Sequence, residues 1–229
     1  MIYKFAKFIK AINPQGILAL IVLLSLFFTS CKKEVKGNIS VYSNDFESGN
    51  LAGITSGTIA LFNGTHVLGR YNSGGFNLTV PNLPKHDLVE ITFDLYIHDT
   101  WDGNNLDSGY SGPDLWSMLV DGNSYIHTSF SNSDCGVGVF CPPQSYPDNY
   151  LNSNHNPKAG AFRTDLPGAC YLSGSPNGTT EYKISKTISH SSATLLLQCI
   201  GDLVQKNVSD PLCDESWSVD NINIKAITL

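Results

Sequence analysis

The sequence predicts an all-β fold, a two-sheet antiparallel sandwich of jelly-roll type, and three observations carry that prediction. Val89, Ile91, Phe93, Leu95 and Ile97 alternate with Glu90, Thr92, Asp94, Tyr96 and His98, the period of a strand with one face on a core. Similar short segments recur between Gly, Asn and Pro turns along most of the chain. After the amino-terminal apolar run, no segment shows sustained helical periodicity, and the long connection 131–167 favours two packed sheets over an up-and-down barrel.

In chain order, strands are expected at Ile39–Glu47, weakly at Gly53–Phe62, and after the Asn63-Gly64 turn at His66–Tyr71. Phe76, Leu78 and Val80 then alternate up to Pro81, and the central strand follows. Leu115–Asp121 is expected as the second strand of this stretch, with Trp116, Met118 and Val120 in phase as core, and Ser124–Phe130 follows Gly122-Asn123. The stretch 131–167 carries Pro142, Pro143, Pro147 and Pro157, and reads as a loop held by aromatic anchors such as Phe140, Tyr146, Tyr150 and Phe162. A loop of that length in a compact domain tends to be functional. Thr180–Ile188, Ala193–Ile200 and Ser216–Leu229 complete the set, the last with a slip of alternation after Ala226 that suggests a bulge.

The 229 residues divide into a signal segment (1–30), a short polar tether (31–38) and one β-domain (39–229). Lys4, Lys7 and Lys10 precede the apolar run Gly16–Phe28, which is shorter than the roughly 20 residues that span a bilayer. Leu26-Phe27-Phe28-Thr29-Ser30-Cys31 resembles the lipobox of bacterial lipoproteins. That resemblance implies cleavage before Cys31, diacylation of its sulfur, further acylation (palmitate or a similar chain) on the new amine, and attachment to the bilayer. Lys32, in place of an aspartate, implies the outer membrane, with the periplasmic and cell-surface faces both open. A plain secretory signal and an uncleaved anchor extended through Ile9 and Ile12 are the other readings.

The net charge is -6, and no basic stripe is present to neutralise phosphates, so nucleic acid is not an expected partner. Oligomeric state is not legible. Besides Cys31 the cysteines are Cys135, Cys141, Cys170, Cys199 and Cys213, an odd set in a compartment where disulfides persist. Cys199 continues the Leu195, Leu197 face and is the candidate free thiol; Cys135 with Cys141 and Cys170 with Cys213 are the expected bridges, although spacing alone does not determine connectivity. Zinc is the rival, without CxxC spacing to support it.

Asp220 has the parity of Ile222 and Ile224 on the last strand, and a carboxylate in line with core residues is costly to bury unless paired or metal-bound. The Asp45-Phe46-Glu47 opening before a glycine turn and the Trp217-Ser218-Val219-Asp220-Asn221-Ile222 closing strand resemble those of concanavalin-like and galactose-binding-like jelly rolls, among them carbohydrate-binding modules and MAM-type adhesion domains. The resemblance implies a structural Ca²⁺ shared by Glu47 and Asp220, with Asp45 a weaker candidate ligand; a hydrogen-bonded Asp220 capping a turn is the alternative. Separately, 69–103, 112–122 and the 146–170 region resemble uncharacterised bacterial surface lipoproteins, which brings no activity with it.

Between the central strands, Trp101, Asp102, Asn104 and Asp107 form an acid- and amide-rich loop. The loop lacks EF-hand spacing, because Gly103 comes second and Leu106 fills a ligand slot. Tyr96, His98 and Trp101, beside Asp102, Asn104 and Asp107, are the expected ligand-binding set, able to stack on a sugar ring and bond its hydroxyls; ordinary packing and an Asp-Gly turn are the plainer alternatives. Catalysis is not expected. Glu90 and Asp94 lie roughly 13 Å apart on one strand, and neither a G-x-S-x-G elbow nor H-E-x-x-H spacing is present. The function expected is a lipid-anchored extracytoplasmic binding module for carbohydrate, with a structural adhesion protein binding another surface protein as the alternative and a glycan-active hydrolase as the minority third.

Overall fold

The structure, a computed structural model, describes residues 34–106, 111–206 and 208–229. The signal segment, Cys31 and Asp107 lie outside them. Contacts divide the chain into two units, Met1–Glu34 and Val35–Leu229, and the second carries the fold.

The described residues form twelve strands and one helical turn: β1 (Gly37–Asn44), β2 (Ile54–Thr55), β3 (Ile59–Phe62), β4 (Thr65–Tyr71), β5 (Gly74–Val80), β6 (Leu88–Asp99), β7 (Leu115–Val120), β8 (Asn123–Ser129), β9 (Arg163–Leu166), β10 (Thr179–Ser189), β11 (Leu195–Asp202), α1 (Pro211–Asp214) and β12 (Glu215–Thr228). They make a jelly-roll sandwich of two antiparallel sheets. One runs β3-β4-β12-β6-β10-β9 with β1 also on β12, and the other runs β2-β5-β11-β7-β8. The first strand lies against the last, Asn44 opposite Ile222 and Gly37 opposite Thr228. No described helix is long and apolar enough to cross a membrane.

The inward residues are those the alternation selects. Val89, Ile91, Phe93, Leu95 and Ile97 of β6 pack against Phe76 and Leu78 of β5, Trp116, Met118 and Val120 of β7, and Leu195, Leu197 and Cys199 of β11. Trp217 sits at the centre, edge-on to Trp116 at 5.9 Å. Its indole fits because Gly75 leaves room: a Cβ there would meet the Cys199 carbonyl oxygen at 1.9 Å and the Trp217 ring at 2.9 Å.

Four expectations change. The weak strand over 53–62 is two short pieces, and the 131–167 loop contains β9 on a sheet edge. The helical turn 211–214 starts at Pro211 behind an Asp210 cap, too short to leave a periodic signal. The bulge of the last strand lies between Asp220 and Asn223, where Asn221 takes φ 53°, and β12 pairs continuously with β6 through Ala226 and Ile227. This bulge reverses the parity on which Asp220 was read. Trp217 and Val219 point inward before it and Ile222, Ile224 and Ala226 after it, so Asp220 shares the outer face with its cross-strand partner Asp94.

The cysteines pair as Cys135–Cys141 and Cys170–Cys213, with Cys199 a buried free thiol. Of the aromatic anchors expected in the long loop, Tyr146 packs on Phe130 at 4.9 Å and Tyr182 at 5.1 Å, and Tyr150 meets His127. Phe140 and Phe162 are exposed instead.

Candidate functional site

The ends of β6, β8 and β11 and the starts of β7, β10 and β12 lie at one end of the sandwich, so the loops 100–114, 130–162, 167–178 and 203–210 converge there. Polar side chains buried among these loops hold their backbone. The Gln144 carbonyl oxygen accepts from the amides of Ser131 (3.1 Å) and Lys158 (3.0 Å) and from the Tyr182 hydroxyl (3.3 Å), while its nitrogen donates to the carbonyls of Tyr146 (3.1 Å) and Ala159 (3.0 Å). Asn132 donates to the carbonyls of Asp99 (2.7 Å) and Gly178 (2.9 Å). Each satisfies backbone groups that a long irregular segment would otherwise bury unpaired.

Over this frame lies a groove of about 620 Å³, lined among others by Asp134, Asn156, Lys158, Thr164, Asp165 and Asn177 and by the Cys135–Cys141 bridge. A second hollow of about 290 Å³ shares Ser133, Asp134 and Asn177 with it and adds Val139 and Phe140. Lys158 Nζ donates to Asp134 Oδ1 at 2.5 Å and to the Asn177 carbonyl at 3.1 Å, and Asn177 Nδ2 donates to Asp134 Oδ2 at 2.5 Å. Partial burial pushes the Asp134 carboxyl up, but those two donors and the Lys158 charge together outweigh it and leave the acid below its ordinary range. The groove thus presents an ionised acid, an ammonium and amides fixed by one another, beside an apolar tip at which Val137, Val139 and Phe140 are exposed.

The residues expected to bind a ligand are placed differently. Tyr96 and His98 are on the outer face of β6, but that face is covered: Tyr96 packs with Phe62, Val67 and Leu166, and His98 is 0% exposed. His98 bonds Thr179 Oγ1 (3.0 Å) and Ser218 Oγ (2.7 Å), with the Phe62 ring edge-on at 4.6 Å. The small serines of β12 let rings from β3 and β6 meet above the sheet, so the polar-looking face becomes a second small core. Burial, then the Arg70 charge, lowers the His98 pKa to about 3. Trp101 is core as well, 1% exposed, its indole N–H on the Ser216 carbonyl at 2.8 Å. None of the three offers a ring face to solvent.

Asn104 is an internal clamp, donating to the Ser153 carbonyl (3.2 Å) and Asn154 Oδ1 (2.8 Å) and accepting from the hydroxyls of Ser129 and Ser145. Asp102 is bridged to Ser131, and its amide donates to Asp114 Oδ2.

Asp45 and Glu47 lie in the turn after β1, and Asp220 lies on β12 opposite Asp94. Burial, and after it the negative charges of Asp94, Glu47 and Asp45, opposed by the Asn221 amide, raise Asp220 to about 6. Glu47 accepts from the Thr65 hydroxyl and from the His66 amide at 3.0 Å, and faces the His66 ring at 3.1 Å. Asp45 accepts from the Glu47 amide at 3.2 Å, and Asp94 pairs with Lys183 at 2.7 Å. The donors are hard oxygens of the kind calcium takes. Among the described residues, no three His, Cys, Asp or Glu side chains are arranged as a ready-made ligand set.

Sequence reasoning missed Gln144, Asn132, Asp134, Lys158 and Asn177. The only advance signal was the density of Asn, Asp and Pro around a short cysteine pair.

No known protein family matches this chain, and no curated protein does. Among solved structures it is similar to dimeric latent PorU from Porphyromonas gingivalis at 10% identity and TM-score 0.42, covering 88% of this chain but 14% of that one. It is similar to a family 35 carbohydrate binding module from Clostridium thermocellum (10% identity, TM-score 0.34, covering 82% and 97%) and to a C-terminal CBM6 from Zobellia galactanivorans (10%, 0.33, 82% and 98%). Structural neighbours of this chain thus include carbohydrate-binding modules, at an identity and overlap that transfer neither a ligand nor a site residue to it.

Proposed function

We propose that this chain is an extracytoplasmic binding module, anchored to the outer membrane through acylated Cys31, whose loop end takes a carbohydrate. The observation that supports this most is the groove over Asp134, Lys158 and Asn177. Its charged and amide groups are already fixed by one another, the arrangement that bonds hydroxyl-rich ligands at little ordering cost, and Phe140 beside it offers an exposed ring. The test is retention of the full chain, purified in detergent, on a glycan array and on immobilised polysaccharides. Phe140→Ala and Asn177→Ala should each weaken retention at least tenfold; binding that ignores both variants refutes the assignment.

The exposed tip of Val137, Val139 and Phe140 favours a second reading, adhesion to a surface protein, which predicts no glycan retention and loss of a protein partner in a Val139→Ser/Phe140→Ser chain. Loss of palmitate labelling in Cys31→Ala tests the anchor.

Calcium is proposed beside Asp220, with Glu47 and Asp45 completing the site. A divalent cation would relieve the mutual repulsion of these acids and tie the first strand to the last. Chelation should lower the melting temperature of the wild type more than that of Asp220→Asn.

A further inference from the structure

We propose that Asp114, Glu215 and Gln205 form a second, buried site for a hard divalent cation, calcium, that cross-links three loop segments. Asp114 stands immediately before β7, Glu215 opens β12 opposite Asp99, and Gln205 lies between β11 and α1, bridged to Ser111. Three chain segments distant in sequence therefore meet at one point.

Asp114 and Glu215 are both 0% exposed. Asp114 Oδ1, both oxygens of Glu215 and Gln205 Oε1 are buried acceptors without a donor. The Asp102 amide reaches only the other oxygen of Asp114. Burial, and then each other's charge together with Asp102 and Asp214, press Glu215 toward its neutral form; among the charged groups that act most on it none is a cation. The Gln205 side chain opposes this shift, while its own Oε1 is left without a donor.

Two protons could pair these four oxygens, one O–H running between the two carboxyl groups and one from Glu215 to Gln205 Oε1, but only by holding both acids neutral. A single divalent ion would take all four oxygens at once with both carboxylates charged, offsetting the desolvation that otherwise disfavours a buried carboxylate pair. All four are oxygens, three from two carboxylates and one from an amide. This set suits calcium, which takes mixed oxygen ligands in irregular geometry, over zinc, which selects nitrogen and sulfur. It contains only two carboxylates, which is consistent with the absence of any group of three.

The site is independent of the one proposed at Asp220, and the experiment is built to separate them. The full chain, stripped with chelator, is titrated with calcium calorimetrically and with terbium by tryptophan-sensitised luminescence, Trp101 and Trp217 being close by in the core. This is done in wild type, Asp220→Asn, Glu215→Gln and Asp114→Asn/Glu215→Gln. The expected result is loss of one calcium equivalent and of the sensitised terbium signal in the Glu215 variants but not in Asp220→Asn. In chelator the double variant should be at least as stable as wild type, since its neutral amides relieve the repulsion, while added calcium should stabilise only chains with Asp114 and Glu215 intact. Unchanged stoichiometry in the Glu215 variants, or equal calcium stabilisation of wild type and double variant, would overturn the proposal.

Discussion

Lowering the pH from 7 to 5 should cost the domain about 2 kcal/mol through His98 alone. The ring is 0% exposed and both nitrogens face hydroxyls, Thr179 at 3.0 Å and Ser218 at 2.7 Å. The folded protein therefore holds a neutral imidazole with a pKa near 3, against an ordinary value of 6.5. In the unfolded chain the ring binds its proton as the pH falls through about 6.5, while the folded ring stays neutral until about 3. The unfolded state thus binds more protons across that window, and stability is present above it and lost as pH falls, at a limiting slope of about 1.4 kcal/mol per unit. Integrated from pH 7 to 5 the loss is about 2 kcal/mol, equivalent to a melting temperature lower by about 4–8 °C for a domain of this size. Urea unfolding at both pH values and constant ionic strength, in wild type and His98→Gln, measures it. Glutamine keeps a polar atom near Ser218 but does not titrate, so its pH 7 to 5 loss should be smaller than that of wild type by the same amount. Equal losses in the two proteins would refute the argument, as would a His98 ring resonance in NMR that titrates above pH 5 in the folded state.

Other expectations follow from single contacts. Removing the Cys170–Cys213 bridge, which spans 43 residues, should cost about 4 kcal/mol, and removing Cys135–Cys141, which spans 6, about 2 kcal/mol in the chain-entropy account; denaturant curves of the two double-serine variants check the order. Burial pushes the Cys199 thiol well above its usual pKa, so in a Cys31→Ser chain a thiol reagent should find no reactive sulfur until denaturant is added and one thereafter. Gly75→Ala should destabilise by about 3 kcal/mol or more, because the new methyl group meets the Cys199 carbonyl and the Trp217 ring; a variant melting within 2 °C of wild type in calorimetry would contradict the packing.

The strands were legible in the sequence because a pleated chain buried on one face must alternate, and β6 does so from Val89 to Ile97 without interruption. The same local rule let Trp116 be recognised as core and Cys199 as a buried thiol. Local rules fail where one residue changes the phase. The bulge at Asn221 turned Asp220 from an apparent core residue into an outer-face neighbour of Asp94, and a two-residue register has no memory across such a step.

Burial of Tyr96, His98 and Trp101 was illegible for another reason. Whether the second face of a sheet is wet depends on what the rest of the chain lays over it, and here small serines on β12 let Phe62 of β3 reach the rings of β6. The groove over Asp134, Lys158 and Asn177, and the meeting of Asp114 with Glu215 and Gln205, join positions that no periodicity relates. By itself the sequence determined a sandwich of alternating strands with an odd set of cysteines. Only the tertiary structure decided which polar residues face each other at its loop end, because long-range approach is set by strand order and loop path, neither of which a local pattern encodes.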